Sequence, residues 1–203
     1  MKRILTIQHC QSQQHVNGMM GGWNDWALTD LGREQARRLA ERLGGELQGQ
    51  SVKIYSSDLK RAMETAAPLA ERLGLAVEYR RELREKNFGP LVMGKSKAWY
   101  REHCDNFGDG VDDRCMEGAE TKREIYQRLA PLCRVALERP EDTVVLVSHG
   151  GALSVWNILW LGLPPEAMNR CGIFGRAGAV GEFDLYGGWE RRILRMGDLS
   201  YIR

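Results

Sequence analysis

The sequence has no apolar run approaching the ~18 residues that a membrane-spanning helix needs, so none is expected. It has no excess of either charge: 29 basic and 27 acidic residues leave a net charge of +2, spread along the chain. That balance argues against a bulk nucleic-acid or membrane binder. Its five cysteines (Cys10, Cys104, Cys115, Cys133 and Cys171) are odd in number and include no Cys-x-x-Cys pair. A disulfide framework and a structural zinc site are therefore not expected. The opening MKRILTIQHC carries only a short apolar stretch. No signal peptide is expected, and the cytoplasm is the expected compartment. There is also no internal repeat, low-complexity tract or interdomain linker. What remains is 203 residues, 43% hydrophobic and 28% charged. That is a soluble globular composition, long enough to bury a core as one domain over 1–203.

The pattern alternates strand and helix. RILTI, VKIYSS, LAVEY and the uncharged run TVVLV are strands, and AVGEFDLY with WERRILRM forms a closing strand pair. LTDLGREQARRLAERLG is a helix with Leu31, Ala36, Leu39, Ala40 and Leu43 on one face, ended by Gly44 and Gly45. LKRAMETAAPLAERLG is a second helix, which Pro68 would kink. TKREIYQRLAPLCRVALER is a third, with a capping box from Thr121 to Glu124, and GALSVWNILWLG is a fourth. Such alternation predicts an α/β three-layer sandwich, a mostly parallel sheet with helices on both faces. The segment from about 86 to 117, with its acidic, glycine-rich DNFGDGVDDR, is least regular and is expected to form a lid-like excursion.

Two of only four histidines stand where strands end. His9 follows the first strand. His149 follows TVVLVS and precedes Gly150 and Gly151. In open parallel sheets ligands bind outside the carboxyl ends of the strands. Glycines there let backbone N–H groups approach a ligand, and a helix start favours an anion. Arg61 lies in the first turn of the helix after the second strand, near the same edge, and its planar fork matches phosphate oxygens. Each feature alone also fits a packed histidine or a solvated helix start. Together they point to an anionic, phosphorylated small-molecule substrate.

At these residues the sequence resembles the histidine phosphatase superfamily, also called the phosphoglycerate mutase-like family, over most of its length. Gln8-His9-Cys10 stands at the family's Arg-His-Gly motif. GWNDWALTDLGREQA, SSDLKRAMETA, LREKNFG, GAETKREIYQR and VLVSHGG are similar to its later segments in order. The resemblance implies that His9 attacks phosphorus to form a phosphohistidine, its other ring nitrogen fixed by a backbone carbonyl. It implies that protonated His149 and Arg61 hold the non-bridging oxygens, with Gly150 beside them. Glu85, partly buried, protonates the leaving alkoxide and then activates water. Neither metal nor other cofactor is implied, since cations of the protein stabilise the transition state. Glu120 takes the place of the glutamate in the family's Gly-Glu-Ser helix start.

The sequence also departs from the pattern. Gln8 carries no charge where the family has arginine, although its amide can still donate one hydrogen bond. Cys10 replaces a glycine, and His15 stands at a usual asparagine that also touches phosphate. GRAGAV and FGPLVMG depart from an Asn-x-Ser stretch and a Trp-Glu-Gly. Three readings follow: a working phosphatase in which His15, Lys86, Lys95 or Arg176 replaces the missing charge; a slower phosphatase with a specialised substrate; or a member that binds a phosphorylated ligand or protein partner without turnover. Cys10 as a replacement nucleophile is a further alternative. A mutase is disfavoured by the acidic Asp105, Asp109, Asp112 and Asp113 in the excursion. Trp156 and Trp160, four apart on one helix face, fill core or a homodimer contact. Trp23, Trp26 and Trp99 pack locally or line a substrate entrance.

Overall fold

The computed structural model describes residues 2–104 and 110–203. Six strands, β1 (Lys2–Gln8), β2 (Val52–Ser56), β3 (Val77–Tyr79), β4 (Thr143–Ser148), β5 (Val180–Tyr186) and β6 (Glu190–Asp198), form one sheet in the order β3-β2-β4-β1-β5-β6. The first four in that order run parallel, while β5 and β6 add on antiparallel. The helices are α1 (Asp30–Leu47), α2 (Lys60–Leu73), α3 (Lys97–His103), α4 (Lys122–Glu138) and α5 (Gly150–Trp160).

Strand alternation divides the core in two. On one face Ile4, Val144 and Leu146 pack with Leu129, Trp156 and Trp160 of α4 and α5. On the other, Leu5, Ile7, Val145 and Val147 pack with Leu39, Leu43, Ala66 and Leu69 of α1 and α2. The three-layer, mostly parallel architecture is therefore as the sequence predicts. Trp156 and Trp160 are 1% and 0% exposed, so they belong to the core. Thr121 and Glu124 form the predicted capping box of α4.

Some local expectations are corrected. Gly44 and Gly45 do not end α1, which continues to Leu47. Leu47 is buried with Leu43 in the core, and that burial outweighs the weak helix preference of two glycines. Leu31 is 53% exposed, off the buried face. The strand LAVEY is only three residues long, because β3 is an edge strand paired through Ile54, Tyr55 and Ser56. Pro68 lies inside α2.

The excursion holds α3 and a short 3-10 turn at Pro90–Val92. Val92, Tyr100 and Cys104 cluster with Met20, and Met20 N–H donates to Lys95 O at 2.9 Å. Asp105 and Asp109 lie outside the described residues. Asp112 makes a bidentate ion pair with Arg123, and Asp113 accepts from Gly110 N. Trp26 donates to Met20 O, Trp99 stacks on His103, and Trp23 lies under Arg81 and Arg84. Among the described residues, no helix is long and apolar enough to cross a membrane.

Gly32 marks the tightest joint between α1 and the loop after β1. A Cβ there would overlap the backbone carbonyl oxygen of Gln11, whereas one at Gly45 would meet nothing within 4 Å. Gly32→Ala is therefore expected to lower stability by about 3 kcal/mol through forced backbone movement. Gly45→Ala is expected to raise it by about 0.5–1 kcal/mol through helix propensity. Urea midpoints of the two variants check the pair.

Candidate active site

The site follows from register. Gln8 of β1 pairs with Ser148 of β4, and the strands are parallel, so His9 and His149 leave the sheet side by side. His9 N–H donates to Ser148 O at 2.9 Å, and their rings lie 5.1 Å apart. β2 lies on the other side of β4 and delivers Ser57, whose N–H donates to Val147 O. Four residues further on, α2 presents Arg61. Thr65, one turn later, accepts from Cys10 N and donates to Arg61 O, joining α2 to the end of β1.

His9 Nδ1 lies 2.8 Å from Cys10 O. A carbonyl oxygen only accepts, so the proton sits on Nδ1 and Nε2 keeps its lone pair. Arg61 Nε donates to that Nε2 at 3.2 Å. The rest of the guanidinium is tied to Asn24 O at 2.8 Å and Gly22 O at 2.7 Å. Arg61 is 0% exposed. Burial lowers it to about 10, against the opposing carboxylates of Glu85 and Asp25, and it stays charged at neutral pH.

Both histidines are held well below the usual imidazole value. Burial is the main cause for each, followed by the charge of Arg61. His149 is therefore neutral at neutral pH. The protonated His149 expected from sequence therefore requires an added negative charge beside the ring. Its Nε2 lies 2.8 Å from Ser57 Oγ, while its Nδ1 is buried without a partner. A buried nitrogen of that kind calls for an explanation, and it leaves one ring atom available for a further hydrogen bond.

Glu85 is half-buried and caps α5. Its Oε2 accepts from Gly151 N at 3.0 Å, and its Oε1 from Ala152 N at 3.1 Å and Lys86 N at 2.8 Å. Arg128 positions the preceding backbone by donating to Glu85 O, and Glu120 holds Arg128 in a two-pronged ion pair. Glu120 also accepts from Asn87 N. Glu120 thus anchors the loop that carries Glu85.

His15 stacks on His9 at 5.4 Å, with its Nδ1 accepting from Ser12 N. Burial, Lys97 and Arg61 lower its basicity, so it adds no positive charge beside His9 at neutral pH. Gln8 is buried, with Oε1 unpartnered. A side chain at Gly150 would come within 3.3 Å of its Nε2, and one at Gly175 within 3.1 Å of its Oε1. Of the other candidate cations, Lys86 lies 3.4 Å from Cys115 Sγ, Lys95 sits over the Trp99 ring, and Arg176 is exposed. None of the three touches His9.

The Cys10 alternative is overturned. Its side chain is buried among Leu28 and Ala36, and burial pushes the thiol up to about 12. Ser57, Thr65, Asn24 and Arg128 were not singled out in advance. Ser57 alone had a signal, as a hydroxyl at the end of the second strand. Among the described residues, no group of three or more His, Cys, Asp and Glu side chains is arranged to hold a metal ion.

The two neutral rings make stability depend on pH. Unfolded, both titrate near ~6.5. Below that pH the unfolded chain binds more protons than the fold. Stability is thus present above about pH 6.5 and lost as pH falls, at up to about 1.4 kcal/mol per pH unit for each ring. The urea midpoint is expected to drop between pH 7.5 and 5, with His149→Gln removing one ring's share of the slope. A flat profile would contradict neutral buried rings.

The chain is 32% identical over 188 residues to the glucosyl-3-phosphoglycerate phosphatase of Mycobacterium tuberculosis, covering 87% of this chain and 82% of that protein. It is also 32% identical over 210 residues to phosphoglycerate mutase-like protein 4 of Arabidopsis thaliana, covering 98% and 86%. The solved structure of mycobacterial glucosyl-3-phosphoglycerate phosphatase with VO3 superposes with a TM-score of 0.83 at 26% identity, covering 97% and 99%. The model of the histidine phosphatase superfamily (branch 1) matches residues 4–198, and the chain belongs to that family.

Proposed function

We propose that the protein hydrolyses phosphate monoesters through a phosphohistidine on His9. The observation that carries this reading is the His9 ring itself: Nδ1 is committed to Cys10 O, and the lone pair on Nε2 faces Arg61 beside the free Nδ1 of His149. Nε2 attacks phosphorus as the ester P–O bond breaks. The leaving oxygen takes a proton from Glu85. Water then attacks the phosphohistidine, Glu85 takes its proton, and the N–P bond breaks to release phosphate and restore His9. Arg61 and an imidazolium at His149 balance the charge on the non-bridging oxygens.

The relatives' names include both phosphatases and a mutase-like protein. Hydrolysis is the better supported reading, because the mycobacterial phosphatase supports it in both sequence and structure. The neutral Gln8 supports a phosphatase that is slower than one with a second guanidinium at that place. The expected setting is cytoplasmic.

His9→Ala is expected to abolish turnover of p-nitrophenyl phosphate, and the parent protein to yield an acid-labile, base-stable phosphoryl adduct on rapid quenching. A chelator is expected to change neither. Gln8→Arg is expected to raise kcat/KM by about 10²-fold, the worth of one preorganised donor. Turnover by His9→Ala at the parent's rate would remove His9 from the mechanism. No gain from Gln8→Arg would show that the missing guanidinium does not limit the reaction.

A further inference from the structure

The phosphoryl-binding groups are fully enclosed, but the molecule opens beside Glu85. On the α5 side of that carboxylate lies a cavity of about 510 Å³. Phe88, Ile125, Val155, Met168 and Phe174 give it largely apolar walls. Lys86, Lys122 and Arg170 also line it, and the single acidic lining residue is Glu85. A smaller hollow of about 380 Å³ shares Glu85 and Phe88, and it too carries cations, Lys97 and Arg101, with no further acid. The surroundings of Glu85 are therefore apolar and electropositive together.

The acceptor oxygens of two neutral polar side chains in the larger cavity are already used. Ser154 Oγ accepts from Ile173 N, and Asn169 Oδ1 accepts from Val111 N. A leaving group rich in hydroxyls would set part of its polar surface against five apolar side chains, which is unfavourable for buried hydroxyls. Arg170, by contrast, is exposed at the end of the 3-10 turn Pro165–Asn169 and makes no side-chain hydrogen bond or ion pair among the described residues. Phe174 is 72% exposed, a large apolar surface left in water at the cavity's mouth. An aromatic body against Phe174 and Met168, with a carboxylate on the planar fork of Arg170, satisfies both.

We propose that this cavity is a leaving-group subsite that selects phosphate monoesters of apolar, carboxylate-bearing alcohols. The proposal rests on the phosphatase reading and deepens it: Glu85, at the cavity's edge, protonates the alkoxide while the cavity holds the rest of the alcohol. It separates this chain from relatives named for a sugar-bearing substrate, because a glucosyl group lacks the apolar surface that these walls bury.

The test compares phenyl phosphate, 2-naphthyl phosphate and 6-phosphonooxy-2-naphthoate on the parent protein, Phe174→Ala and Arg170→Gln. Ratios of kcat/KM between esters, compared across variants, cancel the esters' intrinsic reactivities. Phe174→Ala is expected to lower the naphthyl-to-phenyl ratio about tenfold, and Arg170→Gln to lower the carboxynaphthyl-to-naphthyl ratio about tenfold. Calorimetry with the product, 6-hydroxy-2-naphthoate, is expected to show binding to the parent that weakens about tenfold in Arg170→Gln, and none for glucose. Phenyl phosphate turned over with ratios equal in all three proteins would overturn the subsite and leave the phosphatase standing. No turnover of any ester, with the naphthoate still bound and weakened by Arg170→Gln, would overturn the phosphatase reading and keep the subsite. Failure of both turnover and naphthoate binding would overturn both.

Discussion

A guanidinium with no contact with water must be satisfied by the protein alone, and Arg61 meets that requirement in a way that shapes the whole site. Its Nη1 and Nη2 take the carbonyls of Asn24 and Gly22, and its Nε is left to point at His9. Unpaired, a buried charge would cost several kcal/mol. The segment around Gly22 and Asn24 is therefore drawn over the carboxyl edge of the sheet. That segment in turn holds the excursion, through Asn24 Oδ1 to Gly94 N and Gly18 O to Lys97 N. One buried cation thus links the nucleophile, the loop above it and the excursion beyond.

The same cation sets the state of the neighbouring rings. With Arg61 charged and water excluded, a second positive charge on His9 or His149 is disfavoured. For His9 this is an advantage, since only the neutral ring has a lone pair with which to attack. For His149 it means that the imidazolium of the proposed mechanism would form together with the bound anion. The fold thus holds two neutral imidazoles beside one guanidinium rather than a ready cluster of positive charge.

Much of this was legible before the fold. The uncharged strand ending in His149, the strand ending in His9, and Arg61 one helical turn into α2 obey a topological rule that places all three at one sheet edge. The pairing of β1 with β4 and the hydrogen bond from Arg61 to His9 agree with it. What was not legible depends on burial. The thiol of Cys10 is inert because Leu28 and Ala36 enclose it, and no local pattern records that enclosure. Gly44 and Gly45 resemble a helix end, yet α1 passes through them because Leu47 has a core to enter. Ser57, Thr65 and Arg128 matter through partners up to 92 residues away in the chain, as Ser57 does through His149. Spacing along the sequence carries no sign of such pairs.

The neutral Gln8 sits within that charge arrangement. The described structure places no second guanidinium against His9. Arg84 and Arg128 bear on His149 electrostatically, but Asp58 and Glu120 already engage them. A phosphoryl dianion would therefore meet one permanent charge from Arg61 and draw a second from protonation at His149. The positive end of α5, worth about half a charge, is shared with Glu85, whose carboxylate already takes the N–H groups of Gly151 and Ala152. That sharing suits a two-step reaction. In the proposed mechanism, the carboxylate left when Glu85 gives up a proton has its backbone donors in place, and the same carboxylate takes the proton of the attacking water. With glutamine at position 8, the proposed reaction thus relies on mobile protons at His149 and Glu85 for charge that a second fixed guanidinium would supply.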